Sequence, residues 1–160
     1  MTKSQALDFS LTQLLHASPV LVIALGIVIV MLLTGWRRSD SIAYYATQSV
    51  LLVAILCAIV FFPDASVNLT LLAKLDRPTA TIFVMICTSS LMSVYIAKQY
   101  LKANIEAHEE FYILMLLVIL GASTLVLANH FASLFLGFEL MSIALVGLIG
   151  YMKQKAFSIE

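Results

Sequence analysis

The sequence predicts an all-α fold: a polytopic membrane helix bundle of five transmembrane helices. Two observations predict it. Of 160 residues, 62% are hydrophobic and 11% charged, where soluble domains average roughly 45–50% apolar and 25% charged. Five apolar stretches, each long enough for a hydrocarbon core about 30 Å thick, alternate with short connections holding nearly all the charge. The formal net charge is zero, with no basic excess of the kind that binds nucleic acid. The N-terminus does not read as a signal peptide. Asp8 interrupts the approach, the first apolar run is long enough to span, and no small-residue cleavage site follows it.

Residues 1–18 are polar and mixed, with Leu7, Phe9, Leu11, Leu14 and Leu15 spaced for a short interfacial helix. The first span is 19–36. Pro19 suits a first helical turn, where its missing N–H costs nothing, and Trp36 suits the interfacial aromatic belt. Arg37, Arg38 and Asp40 make a hydrophilic turn. The second span is 42–62, with Tyr44 and Tyr45 at one interface, Phe61 and Phe62 at the other, and Pro63 and Asp64 ending it.

Residues 63–77 form a long connection whose Leu69, Leu71 and Leu72 are expected against the bilayer surface or another helix. The third span, 78–97, carries Thr79, Thr81, Thr88, Ser89, Ser90 and Ser93. Such hydroxyls either bond across close-packed helices or bond back to their own helix's carbonyls; the second is expected for most. Residues 98–110 are the most charged segment. Leu101, Ile105 and His108 share a helical face there, which predicts a short surface helix. Glu109 and Glu110 precede the fourth span, 111–128, as solvated charges that suit a helix N-terminus. Asn129 and His130 leave room only for a tight turn into the fifth span, 131–151, so these two helices must be antiparallel neighbours.

Basic residues set the expected orientation. Arg37, Arg38, Lys98, Lys102, Lys153 and Lys155 fall on one side, and Lys3, Lys74 and Arg77 on the other. The first side is then cytoplasmic, which leaves the N-terminus and His130 outside. Cys57 and Cys87 lie midway along apolar runs, without a C-x-x-C or a nearby histidine pair, and read as small hydrophobes rather than metal ligands. No repeat of 20–50 residues is visible.

The one chemically conspicuous residue is Glu139. It stands eight residues into the fifth span, about 12 Å from one end and 18 Å from the other at 1.5 Å per residue. A carboxylate at that depth costs roughly 2.5–3.5 kcal/mol on insertion scales, and such groups mark ion and proton pathways. Hydrocarbon disfavours the ionised form of a carboxyl group, so its protonation follows changes in its surroundings. Glu139 is therefore the candidate proton-relay residue. The alternative is a neutral packing carboxyl bonded to a neighbouring helix. Ser133, Gly137, Ala144 and Gly147 line a narrow stripe where another helix can approach closely. Glu139 points about 120° away from it, on the side of Phe135, Leu136, Ser142 and Ile143. Ser142 either bonds the carboxyl group, or a water beside it, or is simply small. His130, at the mouth of the same helix, is either a second proton station or a cap for backbone groups. No cation lies within the five spans, and no nucleophile–base pair, phosphate-cradling loop or metal spacing appears.

These residues resemble a known family. The run HEEFYILMLLVILGASTLVLANHFASLFLGFELMSIALVGLIGY is similar to the fourth and fifth membrane helices of the subunit N family of bacterial NADH–quinone oxidoreductase, respiratory complex I. Glu110-Phe111-Tyr112, the turn Ala128-Asn129-His130, and Ser133 to Gly137 leading into Glu139-Leu140 carry the match. Helix order, the Arg37-Arg38 pair and Leu75-Asp76 extend it over residues 1–107; Arg77-Pro78 departs from the family pattern, so no role is placed on Asp76. The resemblance implies an antiporter-like, proton-translocating subunit of a multi-pass complex in the bacterial inner membrane. It would be part of an NADH:quinone oxidoreductase without carrying redox residues, a metal or a cofactor of its own; NADH and quinone are substrates of the whole complex. Its partners would be other membrane subunits of the complex and the lipid bilayer. In the family, the glutamate matching Glu139 pairs with a lysine on the seventh helix, and later lysines continue a hydrated path. The full subunit has about fourteen helices, including two inverted five-helix repeats of the kind transporters use. Residues 1–160 would then be a single membrane domain: a three-helix part, 1–107, and the first two helices of an incomplete repeat, 108–160. That is an N-terminal fragment which alone should not pump. Two alternatives stand beside it: a related subunit of a cation/proton antiporter or membrane-bound hydrogenase, and a small helical membrane scaffold.

Overall fold

The computed structural model describes residues 3–36, 39–61, 67–68, 73–104 and 109–156, with side chains in 15–36, 39–61, 73–101 and 109–151. Five helices carry the fold: α1 Lys3–Trp36, α2 Asp40–Val60, α3 Arg77–Asn104, α4 Glu109–Leu127 and α5 Phe131–Ala156. All five contain stretches long and apolar enough to cross a membrane, so the predicted all-α, five-span architecture holds. A two-residue antiparallel ladder, β1 Val67–Asn68 with β2 Lys74–Leu75, closes the α2–α3 connection. An isolated bridge from Ala73 to Ala128 fastens that connection to the turn between α4 and α5. Leu69, Leu71 and Leu72, expected against the bilayer surface, lie outside the described residues.

The first helix does not begin at Pro19. It starts at Lys3 and carries Pro19 in its interior. Proline removes one helical donor, but the ring is buried here. Three residues before it, the His16 Nδ1–H donates to the Phe61 carbonyl at 2.9 Å. That bond also satisfies one of the carbonyls orphaned at the end of α2. Packing and this side-chain tie hold the helix through its proline, which local signals alone read as a start. The stretch apolar enough to span is Leu15–Trp36.

A second difference lies after the third span. In the described part of 98–110, residues 98–104, there is no separate surface helix. Instead α3 runs on to Asn104 and buries Leu101 to 1% exposure; Ile105 and His108 lie outside the described residues. Nothing in 98–104 breaks a helix, since the segment holds neither proline nor glycine. The Lys98 ammonium stands 3.6 Å from the centre of the Tyr44 ring and 4.7 Å from that of Tyr45. Long basic side chains reach the interface in this way while their stems stay apolar. The α3 hydroxyls bond back to their own helix, as Thr81 to Arg77, Thr88 to Val84, Ser90 to Ile86 and Ser93 to Ser89. They are available for few bonds across helices.

The core runs along α4, which touches all four other helices, whereas the extensive contacts of α5 are with α4 alone. Ile23 and Val30 of α1, Leu51 and Ala54 of α2, Cys87 and Val94 of α3, and Leu116 and Ile119 of α4 are essentially removed from the surface. Cys57 is half-buried and Cys87 buried, both free thiols. Glu109 differs from expectation: it lies inside the first turn of α4 at 8% exposure, while Glu110 is exposed. It is thus a buried group at a helix N-terminus, where negative charge is favoured, and not a solvated one.

Candidate functional site

The site is built on α5, whose orientation is set by glycine. At Gly137 an added Cβ would stand 2.9 Å from the Leu125 backbone nitrogen of α4; at Gly147 it would meet the Leu114 side chain at 3.0 Å. Ala144 is buried between them in sequence. The predicted small-residue stripe is therefore the seam between α5 and α4, and the two antiparallel backbones approach as closely as side-chain-free positions permit.

With that stripe against α4, Glu139 turns outward. It is exposed, as are Phe135, Leu136 and Ile143 on the same side, at 53%, 66% and 68%. The span is Phe131–Tyr151, which leaves Glu139 close to mid-depth of a core about 30 Å thick. Within the described residues its carboxyl group makes no hydrogen bond or ion pair. The packing-carboxyl alternative therefore finds no partner among the described residues. Of the described basic side chains, Lys74 lies in the α2–α3 connection, Arg77 begins α3 and Lys98 lies in the last two turns of α3.

Ser142 follows one turn later and is half-buried, yet no hydrogen bond joins it to Glu139 among the described residues. His130 has a defined structural task. Its Nδ1 accepts the Ala132 N–H at 3.3 Å, and its carbonyl accepts the first α5 hydrogen bond, from the Leu134 N–H at 3.1 Å. Ser133 completes the cap: its hydroxyl donates to the His130 carbonyl at 2.8 Å and stands 3.4 Å from the His130 nitrogen. This is the reciprocal logic of a capping box, with histidine at the N-cap. An Nδ1 that accepts a hydrogen bond leaves the ring proton on Nε2. Taking up a second proton would occupy Nδ1 and release the Ala132 N–H. His130 lies nine residues from Glu139, about 13–14 Å along the axis. The structure thus brings neither His130 nor Ser142 into contact with the carboxyl group.

Two polar features went unread in the sequence. Gln48 of α2 donates to the Tyr44 hydroxyl at 3.3 Å and stands 3.5 Å from the Leu91 carbonyl of α3, a weak link between helices inside the span. Around it, Tyr44 stacks edge-on against Tyr45 and Tyr112, with ring centres 5.1 and 6.1 Å apart, beneath Lys98. The paired tyrosines of α2 and the lysine at the end of the third span were visible signals, but their convergence depends on helix rotation. Among the described residues no three His, Cys, Asp or Glu side chains gather at one point. No family model matches the chain.

Proposed function

We propose that this chain belongs to a proton-translocating, antiporter-like membrane subunit of NADH–quinone oxidoreductase, with Glu139 as its membrane-embedded relay carboxyl. One observation carries the reading. Glu139 stands near mid-depth on the open face of α5, opposite the seam that Gly137 and Gly147 make with α4. Among the described residues the carboxyl group bonds to none of the other helices, and a group this costly in hydrocarbon calls for another role. The similarity of residues 108–151 to the fourth and fifth helices of the subunit N family supports the same role.

In this mechanism Glu139 holds a proton while its surroundings are apolar. It releases the proton when a cation or water approaches the open face, because either favours the ionised form. The chain's part is to fix the depth and direction of the carboxyl group: the cap at His130 sets where α5 begins, and the glycine seam sets its rotation. NADH oxidation and quinone reduction occur elsewhere in the complex. The subunit would sit in a bacterial inner membrane with its N-terminus outside, as the distribution of Lys and Arg suggests.

The test is Glu139→Gln in a full-length subunit, followed in membrane vesicles. NADH-driven quinone reduction should persist while the proton gradient per electron falls sharply. Pumping at the unmodified ratio would sink the relay role. Deletion of the gene separates this reading from its relatives: lost NADH-driven quinone reduction supports the oxidoreductase, and lost sodium tolerance with respiration intact supports a cation/proton antiporter.

A further inference from the structure

The His130 end of α5 is held by more than its own seam. Of the five spans α5 is the least covered by the rest of the chain. Gly137 against Leu125 is the glycine contact with α4 nearest this end, and it lies six residues inside the helix. Beyond it the chain turns through Ala128, and there the lead-in to α3 crosses the turn. Ala73 forms an antiparallel bridge with Ala128, two residues before the His130 cap. Leu75 follows at 7% exposure and packs with Ala80 and Leu127 in a small cluster apart from the main core.

The lead-in is firmly joined to α3. The Thr79 hydroxyl accepts the Asp76 N–H and donates to the Asp76 carbonyl, both at 2.6 Å. The Ala80 N–H donates to the same carbonyl at 3.1 Å, which makes Asp76 the N-cap of α3. Lys74 pairs with Asp76 at 2.9 Å. The hold on the α4–α5 turn is lighter. Among the described residues one isolated bridge supplies the backbone contact. An apolar hollow among Pro19, Val20, Phe61, Phe83 and Leu127 adjoins Leu75, so its seat is incompletely filled. A gap of this kind forfeits dispersion contacts, and segments with few buried contacts open locally well before the whole fold does.

We propose that Ala73–Asp76 is a latch on α5. Closed, as here, it fixes the turn from which the His130 cap starts the helix. Open, it frees the first turns of α5, from Phe131 to Gly137, to leave the bundle about the Gly137–Leu125 contact. Glu139 stands two residues past that pivot, so the latch governs how far the carboxyl group is reachable from the His130 side. This last consequence rests on the proton-relay reading; the latch itself does not.

The test is a disulfide between Ala73→Cys and Ala128→Cys, in a chain that also carries Cys57→Ala and Cys87→Ala. Directly opposed residues of an antiparallel pair have α-carbons about 4.5–5.5 Å apart, within the roughly 4.4–6.8 Å that a disulfide spans. Deuterium uptake is followed in the oxidised and the reduced form of the same purified chain. Oxidation should slow uptake over residues 129–136 roughly tenfold or more, since the latch can then no longer open, and leave residues 145–151 and the α1–α2 core unchanged. Leu75→Ala, in the otherwise unmodified chain, should speed uptake over 129–136. Uptake over 129–136 that ignores a fully formed disulfide overturns the latch. So does slowing spread evenly over all five helices, which is general stabilisation. In a full-length subunit the oxidised pair should lower the proton-to-electron ratio several-fold, and thiol reduction should restore it, with quinone reduction unchanged throughout. An unchanged ratio beside suppressed uptake overturns the latch's part in the proton path. Glu139→Gln, assayed alongside, shows separately whether the relay reading itself fails.

Discussion

Gly121 of α4 lies directly against the backbone of Met141 on α5: a Cβ at Gly121 would stand 2.7 Å from the Met141 nitrogen and 2.9 Å from its α-carbon. Backbone cannot rotate away as a side chain can, so any substituent must part the helices. Gly121→Ala is expected to lower stability by about 1–3 kcal/mol through overpacking, against a helix-propensity gain of roughly 1 kcal/mol for leaving glycine. Gly150→Ala, where nothing lies within 4 Å, should show the propensity gain alone. Thermal unfolding of both variants in the same detergent checks the pair; equal shifts would mean that the seam is looser than described.

The α5 cap offers a second test. His130→Ala removes the acceptor of the Ala132 N–H, which should cost about 0.5–2 kcal/mol. His130→Asn should recover most of that loss, because asparagine is among the best N-cap residues. Asparagine does not titrate near neutrality, so the same variant also separates the two roles of this residue. In a full-length subunit, His130→Asn should leave the proton-to-electron ratio unchanged, and a sharp fall in that ratio would restore His130 as a proton station.

The spans were legible in the sequence because length and apolarity alone decide them, and a membrane makes that signal strong. Their ends were less so. Pro19 reads as a helix start by local rules, yet the tie from His16 to Phe61, 45 residues away, and burial of the ring carry the helix through it. Residues 98–110 read as a separate surface helix, whereas stacking of Lys98 over Tyr44 and burial of Leu101 continue α3 as far as Asn104. The site was readable in part. Helical periodicity separates Glu139 from the small-residue stripe by about 120°, and the packing of Gly137 on Leu125 bears this out. Periodicity could not say which helix fills the stripe, nor that His130 caps α5 instead of approaching Glu139. Those depend on contacts between elements.

Thr47 of α2 is fully buried, and its hydroxyl has no hydrogen-bond partner among the described residues. An unsatisfied buried hydroxyl carries its desolvation penalty without return, typically about 1–3 kcal/mol. Thr47→Val keeps the shape and removes the polar atom, so it should raise the unfolding temperature, with a gain of about 1 kcal/mol. Loss of stability would show that the hydroxyl is bonded in the membrane, for instance through water.

Glu139→Leu distinguishes a pathway carboxyl from a structural one in a single chain. Glu139 faces outward beside Leu136 and Ile143 and bonds nothing among the described residues. Its replacement by leucine therefore removes a polar, ionisable group from mid-depth and breaks no contact among the described residues. Insertion scales put the relief at roughly 2.5–3.5 kcal/mol or more. The variant should insert more readily and unfold no earlier than the unmodified chain, while a full-length subunit carrying it should lose proton pumping. A packing carboxyl gives the reverse: lower stability in the five-helix chain, with transport impaired only as far as folding is. Measuring the unfolding temperature in detergent beside the proton-to-electron ratio in vesicles separates the two, because a relay residue moves the second quantity and leaves the first in place.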